Sequence, residues 1–222
     1  MNNNPDAITS LIADLCGSDD SLRTQASFGL GVLGEPAVGP LTQLLASPHS
    51  EIRKRAAWVL GVVGAPALPA LLRMAEGDDH HLRIEAIRVL GVVGEARALN
   101  MLLAGLTDSD VRIAARSARA IGKIGDPRAY HPLVTALQHP SSDVRYETCR
   151  ALVDLRVPEA VAVLRARADL DSSQTSWGAS VAEAARRAAD EIESAAVAPQ
   201  RDEQFARARA ILREQQQLEP EE

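Results

Sequence analysis

An all-α superhelix, an α-α solenoid of about six stacked two-helix repeats, is the fold this sequence predicts, on three grounds. The tetrapeptides Gly31-Val32-Leu33-Gly34, Gly61-Val62-Val63-Gly64 and Gly91-Val92-Val93-Gly94 recur 30 residues apart, and Gly122-Lys123-Ile124-Gly125 follows 31 later. Apolar residues form 46% of the 222-residue chain but aromatics only 3%, so the core must be built from Ala, Leu, Val and Ile at close helix contacts. Around each tetrapeptide the apolar residues fall three and four apart, the period of a helix.

Taken in order, the array opens with a helix near Asp6 to Cys16, the front half of the first unit. In the second helices, the residue nine before the first Gly is Leu22, Ile52, Leu82 or Ile113. Five before it stand Ala26, Ala56, Ala86 and Ser117, and just before it Leu30, Leu60, Leu90 and Ile121. These columns share one helix face and read as core, with the small residue where a neighbouring backbone comes close. Leu33, Val63, Val93 and Ile124 continue the stripe, and the second Gly suits the left-handed residue that ends a helix. Pro36, Pro66 and Pro127 then open the next first helix, where a missing N–H is harmless. Each unit is thus two antiparallel helices of roughly 10 to 14 residues, with Ser and Asp in the intervening loops as caps.

A fifth copy is degenerate, Val153 and Arg156 replacing the two glycines. A sixth runs through Pro158 to Leu170, a Ser-rich loop ending at Trp177 and Gly178, and Val181 to Ile192. The solenoid so read covers residues 1–195, in units of about 5–34, 35–64, 65–94, 95–125, 126–156 and 157–195. Residues 196–222 read as a polar C-terminal helix or tail, whose acidic end from Glu214 to Glu222 suits folding back on cationic residues of the array. The fourth unit departs from register: Val111 and Arg112 stand two residues early, which predicts a lengthened first turn or a local change of helix register.

A formal net charge of −6 argues against a surface that neutralises phosphates, so nucleic acid is disfavoured as a partner. Cys16 and Cys149 lie in helical patterns and read as small buried hydrophobes. The N-terminus has no basic region leading into an apolar run, and no stretch approaches the roughly 18 consecutive apolar residues of a membrane span. The cytoplasm is the expected location. The histidines fall mainly in loops, and the adjacent pair His80 and His81 does not converge as metal ligands would. With no phosphate-binding loop, Ser/His/Asp set or Cys-x-x-Cys motif, neither catalysis, metal nor cofactor is expected.

The run Ile52-Arg53-Lys54-Arg55-Ala56-Ala57-Trp58-Val59-Leu60-Gly61-Val62-Val63-Gly64 resembles the short HEAT-like repeat of phycobilin lyase subunits and many bacterial proteins, and the likeness extends over roughly residues 5 to 195. It implies an armadillo-like scaffold or adaptor that binds protein; the alternative it carries is an accessory subunit of a chromophore-handling modification enzyme. Deoxyhypusine hydroxylase shares the repeat, and that resemblance would imply a di-iron centre on His-Glu pairs in the second helices. The matching positions are Thr24-Gln25, Lys54-Arg55, Ile84-Glu85, Ala115-Arg116 and Tyr146-Glu147, and the chain contains no His-Glu pair, so that activity is set aside.

In such stacks the second helices line a concave face, with the residues three and seven before the Gly pointing into it. These columns hold Phe28, Trp58, Arg88, Arg119 and Arg150, then Thr24, Lys54, Ile84, Ala115 and Tyr146. The candidate partner-binding residues are Phe28, Lys54, Trp58, Ile84, Arg88, Arg119, Tyr146 and Arg150, a groove apolar at one end and cationic at the other. An acidic or amphipathic segment of another protein is the partner such a groove suits. A separate column, Arg23, Arg53, Arg83 and Arg145, falls at the first turn of its helices, where guanidinium groups can tie one unit to the next.

Overall fold

The computed structural model describes residues 5–195, and the tail expectations for 196–222 lie outside the described residues. The helices are α1 (Pro5–Cys16), α2 (Asp20–Leu33), α3 (Glu35–Leu44), α4 (Ser50–Val63), α5 (Leu68–Glu76), α6 (His80–Val93), α7 (Leu99–Gly105), α8 (Val111–Ile124), α9 (Tyr130–Ala136), α10 (Ser142–Leu155) and α11 (Ala160–Leu170), followed by α12 over 181–195. No β-strand forms among the described residues, which hold only an isolated bridge between Gln174 and Ser180. The even-numbered helices α2 to α10 stack on one another in chain order, and the odd-numbered helices form the second layer of the array. Between the layers Leu30, Leu60, Leu90, Ile121 and Leu152 meet Leu41, Leu71, Leu102, Leu133 and Leu164, all fully buried.

The second helices α2, α4, α6, α8 and α10 are all 14 residues long, and the first four carry the Gly-x-x-Gly tetrapeptide at the same offset. Side chains of Asp19, Asp79, Asp110 and Ser141 accept N–H groups at the start of α2, α6, α8 and α10, satisfying amides that have no partner inside a helix. Three of the first helices, α5, α7 and α9, are shorter than the sequence pattern predicts, while α1, α3 and α11 match it. Both α7 and α9 have seven residues, because a three-residue 3-10 turn, Ala96–Ala98 or Pro127–Ala129, takes up the preceding stretch. His80, His81 and His131 lie in helices rather than loops.

Two kinds of corner explain the change of period. At Gly34 and Gly64 φ is 70° with ψ of −126° and −132°, and the next helix or 3-10 turn starts at the following residue. That backbone conformation is closed to residues with a Cβ. At Gly94 and Gly125 the backbone is left-handed, with ψ of 15° and 21°, and one extended residue, Glu95 or Asp126, intervenes before the turn. The extra residue enters only there: Leu41 to Leu60 and Leu102 to Ile121 span the same 19 positions, while Leu60 to Leu71 spans 11 and Leu90 to Leu102 spans 12. The second Gly is therefore left-handed at two of its four positions, not at all of them.

The fourth unit has no lengthened first turn. α8 begins 11 residues before Gly122, as α6 does before Gly91, and Ala114 is buried where the Arg column is interrupted. What changes is the register between helices. A Cβ on Gly31 would lie 2.7 Å from Cγ1 of Val62, and one on Gly61 equally close to Cγ1 of Val92. On Gly91 and Gly122 it would instead meet backbone, 2.8 Å from Cα of Ala120 and 2.5 Å from Cα of Ala151. The valines follow the neighbouring helix's glycine position by one residue and the alanines precede it by two. The contact has moved three residues, about 4.5 Å along the axis.

One core column is buried only from the fourth unit on: Leu22 is 46% exposed, Ile52 and Leu82 are half-buried, and Ile113 and Val144 are buried.

Candidate partner-binding face

Opposite the core line, residues seven and three before the glycine position and one after it are spaced by four, so each second helix presents one line of three side chains. The lines are Thr24, Phe28 and Val32; Lys54, Trp58 and Val62; Ile84, Arg88 and Val92; Ala115, Arg119 and Lys123; Tyr146, Arg150 and Asp154. The third row is absent from the sequence candidates, because the core stripe leads to the residue just beyond it. Its signal is present all the same: Val32, Val62, Val92 and Lys123 stand four after the aromatic and Arg column.

At the N-terminal end this face is apolar and open. Phe28 is 60% exposed, Val32 71%, Trp58 50% and Val62 49%. The rings of Phe28 and Trp58 pack edge to face with centroids 6.1 Å apart, which fixes both without burying either.

The arginines beyond are less free than the sequence suggests. Arg88 donates to Glu85 through Nε and Nη2 at 2.9 and 2.7 Å, Arg119 pairs with Asp154 of the next helix, and Arg150 reaches Glu147 at 3.3 Å. Glu85 and Glu147 come from the position three before the arginine, and Asp154 from the third row. Lys123 has no ion pair among the described residues; burial and the charges of Arg119 and Arg88 push its amine below the usual lysine range, against the pull of Asp154. Of the remaining candidates, Lys54 is exposed and bound to Glu51 at 2.7 Å, and Ile84 is half-buried against the core. Tyr146 packs edge to face on Trp177, centroids 5.6 Å apart, at the far end of the layer. Trp177, 55% exposed on the loop before α12, is not among the sequence candidates.

The Arg column lies along the loop edge of the array. Arg23 donates to the Gly17 and Ser18 carbonyls and pairs with Asp20 of its own helix. Arg53 donates to the Ser47 and Pro48 carbonyls and meets Glu85 of the next second helix at 3.5 Å. Arg83 bonds the Ala75 carbonyl and Asp108 of the next unit. Arg145 is the most enclosed: it donates to the His139 and Pro140 carbonyls and holds Asp171 at 2.6 Å, their side chains 12% and 4% exposed. Burial works against the Asp171 carboxylate, but hydrogen bonds from Arg145 and Ser173 hold it down at about 2. Cys149 nearby is pushed up to about 12 by burial and then by the Asp171 charge, so its thiol is inert at neutral pH. Among the described residues, no three His, Cys, Asp or Glu side chains converge on a metal position, and no single helix is long and apolar enough to cross a membrane.

A two-layer stack of antiparallel helix pairs with an open second-helix face defines an α-solenoid. The HEAT repeat family matches residues 6–91, 38–118 and 99–184, and the chain belongs to it. Comparison with curated proteins gives no match. Among solved structures, importin beta is similar at 17% identity and a TM-score of 0.51, over 84% of this chain and 27% of that one. An engineered protein is similar at 21% identity and 0.49, over 87% and 98% of the two chains. The complex of CpcE and CpcF of phycocyanin lyase from Nostoc is similar at 27% identity and 0.45, over 75% and 71%. These likenesses are ones of fold.

Proposed function

We propose that this chain is a non-catalytic scaffold or adaptor that binds another protein along the open face of its second-helix layer, Phe28 and Trp58 serving as anchors. One observation carries the reading: in a chain with 3% aromatics, Phe28 and Trp58 pair in solvent on successive second helices, outside the buried core and beside the exposed Val32 and half-exposed Val62. Contiguous exposed apolar surface of that kind marks interaction sites, and large rings dominate binding energy where they are pre-positioned. The cations and carboxylates further along the layer supply polar contacts for the rest of a bound segment.

A Phe28→Ser/Trp58→Ala double variant tests this. Both side chains are already in water, so the fold should survive, as circular dichroism would show. Partner recovery in a pull-down should fall at least tenfold, the order of effect of losing one hot-spot residue. Undiminished recovery by the folded variant would refute the reading.

A further inference from the structure

The fifth corner breaks the glycine rule. Arg156 is left-handed, with φ of 55° and ψ of 36°, where the other four corners use Gly34, Gly64, Gly94 and Gly125; it is the one positive-φ residue other than glycine among the described residues. A side chain there carries a conformational cost that glycine would avoid, and such costs collect where a side chain is needed. Arg156 lines a pocket of about 480 Å³ between the C-terminal parts of α8, α10 and α12. Val153, the other residue that departs from Gly-x-x-Gly, lines it too.

The charges facing this pocket are Arg119, Lys123 and Arg156 against Asp154 and Glu191. Arg119 and Asp154 satisfy each other, while Lys123 and Arg156 have no ion pair among the described residues. One net positive charge remains, which suits a single carboxylate better than a phosphate bearing nearly two charges. Arg119 stands in the same row across the helices as Phe28 and Trp58, and Lys123 in the row of Val32 and Val62, so the pocket opens on the partner-binding face. From α4 to the far side of α8 is two to three helix spacings, about 20 to 30 Å, a distance that roughly six to nine residues of extended chain cover.

We propose that this pocket is an acidic-side-chain subsite, in which Lys123 and Arg156 take the carboxylate of a Glu or Asp on a docked segment whose apolar end rests on Phe28 and Trp58. The inference rests on the scaffold reading above and names the chemistry of its partner: an apolar anchor followed, roughly six to nine residues on, by an acidic residue.

Fluorescence anisotropy of a labelled hexaglutamate peptide with the full chain at low ionic strength tests the subsite. Binding should weaken at least tenfold in a Lys123→Gln/Arg156→Gly double variant, whose glycine matches the other corners and preserves the fold. Hexaglutamate that fails to bind the wild type, or binds the variant equally well, overturns the subsite. Displacement by inorganic phosphate at concentrations matching the peptide's carboxylates overturns the side-chain assignment in favour of a free anion. A Trp58→Ala variant separates the two readings. Lost partner capture with unchanged hexaglutamate binding supports both, whereas capture unaffected by Trp58→Ala removes the scaffold reading whatever the pocket does.

Discussion

The two ends of this array are built from one repeat and held together differently. Between α2, α4 and α6 the glycine of one helix receives a valine side chain of the next, the corners turn without an added residue, and the open face is apolar. Between α6, α8 and α10 glycine meets backbone, each corner carries one more residue, and the face is charged. The two ends of the Arg column differ as well: Arg23 pairs with an Asp20 that is 90% exposed, Arg145 with an Asp171 that is 4% exposed. The N-terminal half is thus a yielding stack with a sticky surface and the C-terminal half a tight stack with a polar one. Rigidity and stickiness can be distributed separately along one solenoid, because the buried leucine column and the aromatic and Arg column do not share residues.

The contrast is sharpest in the Arg column. Arg145→Ala should destabilise the protein by about 2 to 3 kcal/mol, since it leaves a buried carboxylate to Ser173 and the more distant Arg167, whereas Arg23→Ala should cost about 1 kcal/mol or less; urea unfolding of both variants gives the comparison. The same pair predicts an acid response. A carboxyl held at about 2 in the fold but near 3.8 when unfolded stabilises fully above pH 4, and that contribution, about 2 kcal/mol, is lost as pH falls from 4 to 2. Asp171→Asn should flatten the pH dependence across that window.

Glycine replacements probe the helix contacts next. Gly122→Ala puts a methyl 2.5 Å from Cα of Ala151, where only backbone can move, and should cost about 2 kcal/mol net of improved helix propensity. Gly31→Ala meets only the end of the half-exposed Val62 side chain, and its melting temperature should stay level or rise. Equal losses from the two would erase the distinction between the halves.

The smallest effect concerns Ser117, whose buried hydroxyl has no partner among the described residues, while Thr148 in the same column donates to the Val144 carbonyl at 2.7 Å. Ser117→Ala restores the alanine of Ala26, Ala56 and Ala86 and should gain about 1 kcal/mol. A loss instead would show that Ser117 supports the tight stack against Gly105, the residue it faces on α7.

The period made the fold legible, because every unit repeats the same buried Leu, Ala and Gly contacts and each copy reports on the others. The aromatic pair was legible for the opposite reason: Phe28 and Trp58 interrupt a face where nothing demands them. Three features were hidden by their dependence on neighbours rather than on local pattern. Leu22, Ile52 and Leu82 match Ile113 and Val144 in sequence, yet only the latter two are buried, on the side of the array where the helices have slid. Arg88, Arg119 and Arg150 show positive charge in their column, yet their carboxylates lie in other columns, and for Asp154 in another unit. The slide between α6 and α8 is written in one added residue at Glu95, which a reading aligned on the glycines assigns to the wrong end of the unit.

That added residue has an engineering consequence. Everything from a buried leucine such as Leu41 to Leu60 on the next helix has constant length, so those spans behave as interchangeable bricks and the corner as the mortar joint. Exchanging bricks between the 30- and 31-residue units should leave the interior intact. Exchanging joints should slide all later rows of the binding face past the earlier ones, so a partner could be lost or gained by one insertion far from any residue it touches.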